Sequence, residues 1–475
     1  MTHATSETGE DLVGPTSVTV DRRLLDGRII PTLIYFALPL VGTNLMHSIA
    51  GAYMAGWVGH VIGPNGLTAV VVVNVLVWFM LVSAIMGIAS ASSILIAQAY
   101  ASGRHRQLKA ITGNSVCFVV VGSVVMSLFG WFGSPILIDW ISTPEEARAL
   151  AITFLRATAL SILTVFPLVF MTIMIRGVGD SKTPFRFTMF WIGLSMLAQP
   201  VFLTGAFGVP ALGMEGVAHA NTAAAGIALV ALLIYLRWSR HPLMLLGPDL
   251  RFLLPDPKTL KLLMMRGLPM GVEGVLISGV YLVLLSMVNR YGAATSAGYG
   301  AATQLWGFIQ MPIGALSASV AAMASQNIGA GQWSRVRELA LKASLLGAGI
   351  TSGGVLLVYA LGEVLLGVFL PEGGDALRMA LRINLLVLWS WIPLAITMVL
   401  FGIVRANGAM MPPTLIMVGT LWVVRLPFAE VFQRQLGADA IWLSFPVGTI
   451  MCAVLACVYY RFGRWKTKSL LGELA

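Results

Sequence analysis

The sequence predicts an all-α integral membrane protein: twelve transmembrane helices in two six-helix lobes, related by pseudo-twofold symmetry about the membrane normal. Scarce charge, twelve apolar runs and an internal repeat predict it. Of 475 residues, 57% are hydrophobic and 11% charged, and the mean hydropathy is +0.86. Soluble domains run at about 45–50% apolar and about 25% charged. Asp, Glu, Lys and Arg are too few here to build the polar surface that a soluble chain of this length needs. The three cysteines, Cys117, Cys452 and Cys457, lie inside apolar runs, with neither a disulfide framework nor zinc spacing.

A helical crossing takes about 20 apolar residues. Apolar runs between charged or Pro/Gly punctuation fall at 30–56, 66–96, 111–133, 149–175, 185–207 and 211–236 in the first half. In the second half they fall at 262–289, 297–326, 339–369, 379–403, 413–432 and 440–460. The expected organisation is a cytoplasmic tail over 1–28, an N-terminal lobe over 29–236 and a cytoplasmic linker over 237–261. A C-terminal lobe over 262–460 and a cytoplasmic tail over 461–475 complete it. The stretch 1–28 is polar and has no short apolar segment with a cleavage site, so no removable signal peptide is expected.

The basic balance is a topology signal. Of the 30 Lys and Arg, 23 fall in the tails, the even-numbered connections and the linker region, against five (Arg148, Arg290, Arg378, Arg382, Arg434) on the other side. An anionic cytoplasmic leaflet and the cost of moving cations across favour that asymmetry. Both termini are therefore expected in the cytoplasm and the chain in the cell inner (plasma) membrane. Nucleic acid is not an expected partner.

The halves repeat at nearly one spacing. "LPLVGTN" around Pro39 matches "LPMGVEG" around Pro269, and "AQAYASG" ending at Gly103 matches "SQNIGAG" ending at Gly331. "RGVGDSKTP" from Arg176 matches "RANGAMMPP" from Arg405, and "FLR" ending at Arg156 matches "ALR" ending at Arg382. The four matches keep the same order in both halves, which short chance similarities would not do. Six helices is an even number, so both halves enter from the same side, around an axis along the membrane normal. A two-lobed bundle with a cleft between lobes belongs to alternating-access transporters more than to channels or receptors.

At these repeats the sequence resembles the multidrug and toxic compound extrusion (MATE) family over about residues 28–462. "MAGWVG" (Met54–Gly59) followed by "GLTAV" resembles the family's "mvGrlG…alAA", and "RGVGDSKTP" resembles its "lrGvGdtktP" loop. "AQAYASG" and "SQNIGAG" resemble its small-residue "GQ…GAG" turns, and "LAQPVFLTG" (Leu197–Gly205) resembles its "lDPlfIfG". The resemblance implies export of amphiphilic, mostly cationic drugs or metabolites in exchange for H⁺ or Na⁺. The two acids of the family's amino-lobe pattern fall on Gly51 and Gln199. A flippase for a lipid-linked precursor, from the same superfamily, is the alternative, and a non-transporting scaffold or sensor is a third reading.

With those acids missing, Glu273 is the sharpest candidate for cation coupling. It stands one helical turn after Pro269 in a run otherwise free of charge from Leu268 to Val288. A carboxylate in hydrocarbon costs at least ~2–3 kcal/mol, so it must face water, find a partner or carry a proton. His47 and His219 are intramembrane imidazoles able to titrate near neutral pH. Arg425 with Glu430 reads as a gate or an internal ion pair. Asn44, Tyr53, Asn74, Tyr281, Gln304 and Asn384 are polar positions on expected cleft helices, joined by Trp306, Trp389 and Trp391 as cavity aromatics. Nucleotide, metal and Ser–His–Asp patterns are missing from the sequence, so it gives no support for an enzyme or a bound cofactor. A monomer is expected.

Overall fold

The computed structural model describes residues 23–77, 83–141, 143–208, 210–371 and 373–466. Most of both expected tails, and residues 78–82 inside the run expected at 66–96, lie outside these. After a single turn at Arg23–Asp26, the N-terminal lobe holds α1 (Ile29–Val61), α2 (described as Pro64–Leu76 and Ser83–Ala101), α3 (His105–Trp140), α4 (Glu145–Gly177), α5 (Lys182–Thr204) and α6 (Gly213–Trp238). The C-terminal lobe holds α7 (Pro257–Asn289), α8 (Ala293–Gly329), α9 (Trp333–Gly367), α10 (Gly374–Ala406), α11 (Met411–Leu436) and α12 (Asp439–Phe462). Eleven of these are long and apolar enough to cross a bilayer, and the two described pieces of α2 are shorter apolar helices. In lipid each backbone N–H and C=O must be satisfied within the segment, which leaves the helix as the form such runs take.

Several helices outrun their apolar cores. The α3 helix starts at His105 and continues to Trp140, beyond the apolar run at 111–133, because its charged first turn stays helical outside the hydrocarbon. The α5 helix stops at Thr204, inside its run, where Gly205 takes φ +77° and ends the helix left-handed. The α10 helix narrows to a 3₁₀ turn at Leu388–Ser390 just before Pro393, and α11 widens to a π turn at Thr420–Arg425 just before Pro427.

The repeat is visible in the backbone. Positive-φ glycines recur at matched positions: Gly63 (+91°) with Gly292 (+93°), Gly103 (+70°) with Gly331 (+73°), and Gly179 (+96°) with Gly408 (+84°). Any side chain there would meet the left-handed penalty, so both lobes turn at the same places for the same steric reason.

The lobes meet at the end that carries the linker. Leu262, Leu263 and Met410 of the C-terminal lobe pack into the N-terminal core around Leu95, Ile96 and Met174. Leu24, Ile29, Leu33 and Phe36 pack into the C-terminal core around Leu316, Val320 and Met323. At the other end each lobe has its own core, around Val73 and Phe154 in one and Trp306 and Trp442 in the other. The lobes therefore share their packing at the linker end and, among the described residues, not at the other.

Glycines make the closed end tight. A Cβ on Gly267 of α7 would lie 2.5 Å from Ile88 Cα of α2, and one on Gly329 of α8 would lie 2.5 Å from Gln98 O. Two glutamines then fasten the seam. Gln98 Nε2 of α2 donates to Ala406 O at the end of α10 (2.6 Å), and Gln326 Nε2 of α8 donates to Gly177 O at the end of α4 (3.0 Å). Both glutamines are 2% exposed, and they occupy the same place in the matching repeat strings.

The linker leans on the N-terminal lobe. Lys109 Nζ donates to Met244 O and pairs with Asp249 at 3.2 Å, and Asn114 Oδ1 accepts from Asp256 N at 2.7 Å. Asp256 then caps α7 by accepting from the Thr259 side chain and from its backbone N–H, the latter at 3.0 Å, which holds its carboxyl below the usual range.

Candidate functional site

Inside the N-terminal lobe α1, α2, α4, α5 and α6 enclose a cavity of about 730 Å³, touched from the other lobe by Met311 alone among the described residues. Helical spacing aims its polar side chains. Thr43, Asn44 and His47 share a face of α1, and Trp191, Ser195 and Gln199 follow each other one turn apart on α5. Asn221 of α6 gathers that stripe: its Oδ1 accepts from Trp191 Nε1 (3.0 Å) and Ser195 Oγ (3.4 Å), and Gln199 Nε2 donates to Ser195 Oγ (3.1 Å). His47 meets Trp191 edge-on, ring centroids 5.6 Å apart. Among the described residues Gln199 Oε1 and Thr158 Oγ1 are buried without a hydrogen-bond partner.

The cavity carries positive charge and no carboxylate among its described lining. From Ile29 to Ile138 the sequence contains neither Asp nor Glu. Gly51, where the resemblance places an acid, lines the cavity with nothing within 4 Å of a built Cβ. The nearest acid in sequence to the cavity floor, Asp180, is spent on the start of α5, accepting from Lys182 N (3.0 Å) and Thr183 N (2.9 Å). Arg176, in the last turn of α4, lines the floor, and its Nε donates to Thr172 O at 3.2 Å. No carboxylate pairs with it among the described residues.

The C-terminal lobe is filled where its counterpart is hollow. Trp306, Trp391, Phe445, Tyr299 and Trp442 stack ring to ring, with Trp306 centroids 5.9 Å from Trp391 and 5.1 Å from Phe445. Trp306 Nε1 donates to Asn384 Oδ1 at 2.9 Å. On the spacing that sets Arg176 against Arg405, Trp306 and Trp391 correspond to Val77 and Ile162, both on the cavity wall. Aliphatic side chains in place of indoles leave the volume open.

Glu273, 7% exposed, has found a partner. Arg405 Nη2 of α10 donates to Glu273 Oε1 at 2.8 Å and Oε2 at 2.6 Å, and Thr414 Oγ1 of α11 donates to Oε2 at 2.6 Å. Such a triad meets both carboxylate oxygens with hydrogen bonds and gives the guanidinium its counter-charge. It lies outside the N-terminal cavity.

Of the other candidates, Asn44, His47 and Asn74 line the cavity. Tyr53 is half-buried beside Trp57, His219 is half-buried on α6 without lining the cavity, and Gln304 and Trp389 are exposed. Trp306, Asn384 and Trp391 are core residues of the second lobe rather than cleft lining. The expected pair of Arg425 with Glu430 does not form. Glu430 is exposed, while Arg425, 3% exposed, lies under the Phe445 ring at 3.3 Å and 5.7 Å from that of Tyr281. The π turn at Thr420–Arg425 and the packing of α12 direct it inward, away from Glu430. A broader depression of about 1130 Å³ between α8, α9 and α10 is walled by exposed Leu385 and by the Asp375–Arg378 pair, whose side chains are 75% and 80% exposed, so it is surface rather than interior.

Sequence reasoning passed over Arg176, Arg405, Trp191, Ser195 and Asn221. It counted both arginines as topology markers. The signal was the repeat itself, which sets Arg176 against Arg405 and Thr43 against Glu273.

The MatE family model matches the chain twice, over residues 39–201 and 269–431. The chain belongs to the MatE family. The two matches begin at the paired prolines Pro39 and Pro269, so the family unit is one lobe of this MatE chain. It is 30% identical to the probable multidrug resistance protein YoeA of Bacillus subtilis over 92% of its own length and 94% of the relative's. YpnP of the same organism, also described as a probable multidrug resistance protein, is 28% identical over 94% and 98%. In fold it is similar to a mutant of the Vibrio cholerae MATE transporter VcmN, with TM-score 0.85 and 18% identity over 95% of this chain and 100% of that one. A structure described as the outward-facing conformation of a multidrug resistance MATE family transporter gives TM-score 0.83 at 17% identity, over 92% and 96%. This MatE protein is thus a multi-pass membrane transporter of the multidrug efflux family rather than an enzyme.

Proposed function

We propose that the chain is a secondary active antiporter of the cell inner membrane, exporting amphiphilic small molecules by alternating access in exchange for H⁺ or Na⁺. In this reading both termini are cytoplasmic, the lobes are 29–236 and 262–460, the linker and tails lie in the cytoplasm, and the monomer is the working unit. One observation carries it: a deep cavity of mixed apolar and amide walls in one lobe of a bundle that is sealed at the linker end. Pockets of about 300–1,000 Å³ with few convergent polar groups suit drug-sized ligands.

Of the coupling candidates His47, His219 and Glu273, His47 alone lines the cavity, and imidazole is a side chain suited to taking up and releasing a proton. The resemblance implied mostly cationic substrates. The cavity's charge, one guanidinium and no carboxylate among its described lining, supports neutral or acidic amphiphiles better. Flipping of a pyrophosphate-linked lipid would call for several cations, and a single arginine supports it less. Dye efflux from proteoliposomes under an imposed ΔpH or Na⁺ gradient tests the proposal. Gradient-dependent efflux is the expected result, and efflux indifferent to both gradients would overturn it.

A further inference from the structure

The lobes differ in how one matched arginine is paired. Arg176 and Arg405 open matching repeat strings. In the C-terminal lobe Glu273 offers Arg405 both carboxylate oxygens. The spacing that pairs Pro39 with Pro269 pairs Glu273 with Thr43, whose hydroxyl turns back to its own helix, donating to Pro39 O at 2.9 Å. Thr43 and Arg176 both line the cavity. The N-terminal lobe has the cation of the pair without the anion, and both matched positions face one cavity.

A guanidinium withdrawn from water is costly when it has no counter-charge. Its planar fork matches a carboxylate, sulfonate or phosphate oxygen pair and recovers that cost through charge-assisted hydrogen bonds. Much of the α4 wall is apolar, with Ile162, Val165 and Phe166 facing the same space as Arg176, and Met86 of α2 joins them. We infer that this cavity takes amphiphiles with an anionic head, the head seated on Arg176 and the apolar body along α4. The ligand's acid stands in for the missing glutamate of the repeat. The inference rests on the reading of this cavity as the substrate site, and it names the substrate class.

The test uses matched probes on the full-length protein in detergent: 11-(dansylamino)undecanoic acid, its methyl ester, and the cationic dansylcadaverine. Binding is read by energy transfer from tryptophan, Trp191 being in the cavity wall. The wild type is expected to bind the acid at least ~10-fold more tightly than the ester, as a desolvated charge-assisted pair implies. Arg176→Gln should bring the acid down to the level of the ester, and Arg176→Lys should keep part of the preference. Thr43→Glu, which restores the repeat's own acid in the same cavity, should remove the preference while Arg176 stays in place. Equal binding of acid and ester by the wild type would overturn the inference. A preference that survives in folded Arg176→Gln or in Thr43→Glu would also overturn it. Efflux of the same three dyes from proteoliposomes separates the two levels. If the acid preference holds in binding but no dye moves with a gradient, the exporter reading fails and the anion site stands. If dansylcadaverine moves and the acid has no binding advantage, the exporter reading stands and the anion site fails.

Discussion

The two lobes share one backbone plan, down to matched left-handed glycines, yet one is hollow and the other is filled. Where the C-terminal lobe has Trp306 and Trp391, the N-terminal lobe has Val77 and Ile162; where it has Glu273, the N-terminal lobe has Thr43. Side-chain volume and a single counter-charge, alongside the 3₁₀ turn of α10 and the π turn of α11, separate the filled lobe from the hollow one. A repeat can keep the symmetric features that hold the halves together and release one copy for a ligand.

The comparison is broken most severely at the buried triad. Glu273→Gln strands the Arg405 guanidinium in the interior and should cost about 3–5 kcal/mol, the usual penalty for removing one partner of a buried pair. Thermal melting in detergent would show it, and Glu273→Gln with Arg405→Gln should recover most of the loss. If the double variant melts like wild type but no longer exports under a gradient, the triad couples as well as stabilises. Normal export by the double variant would confine Glu273 to structure.

Trp306→Ala should hollow the second lobe to resemble the first. The indole is 1% exposed and its removal leaves Asn384 Oδ1 without its donor. A loss of about 3–5 kcal/mol is expected from cavity formation. A melting temperature indistinguishable from wild type would mean that the aromatic stack is not what fills this lobe.

Gln98→Ala and Gln326→Ala each leave a buried carbonyl unmet, at about 1–3 kcal/mol. Because the bonds are repeat-related, the two variants should loosen the linker-side seam equally and by the same motion. Spin-label distances between the ends of α4 and α10 would report it. An effect from only one glutamine would show that the symmetry of the seam is geometric and not energetic.

The smallest effect concerns the linker, which rests on one lobe. His241 is buried, and burial pushes its imidazole down to about 4, partly offset by nearby Asp180 and reinforced by Lys109. Its folded pKa lies below the unfolded value of about 6.5, so its stabilising share is complete well above 6.5 and is lost as pH falls toward 4. Between pH 7 and pH 6 the loss is about 0.7 kcal/mol. Hydrogen exchange over positions 241–254 should quicken over that interval, and His241→Asn should flatten the response.

Much of the fold was legible because a bilayer leaves the chain few choices. Apolar runs, basic loops and four short repeat strings were enough to set helix number, lobe count and pairing of the halves. Helix ends were harder, since turns such as His105–Lys109 stay helical in water and carry no apolar signal. The site was half legible. Asn44, His47 and Asn74 were visible as polar groups in apolar runs, but hydropathy cannot tell which lobe packs its interior with tryptophan. Arg176 and Arg405 sit at helix ends among the topology charges, where their count conceals their contacts. Reading the repeat as a substitution table, residue against residue, separates them: Glu273 becomes Thr43, and one arginine is left with no acid.

The seam at the linker end has a genetic consequence. Both receiving oxygens, of Gly177 and Ala406, belong to the main chain, and every amino acid supplies one. Drift at those two acceptor codons cannot delete an acceptor. The two donors are the opposite case, because a single nucleotide change at codon 98 or 326 can remove a bond outright. For these two bonds the genetic vulnerability thus lies in the donor codons. A saturation library of the four positions would show it as sharp intolerance at the glutamines. At position 406 tolerance would be limited by side-chain bulk, and at Gly177 by the 2.5 Å approach of Ser93 O to any added Cβ.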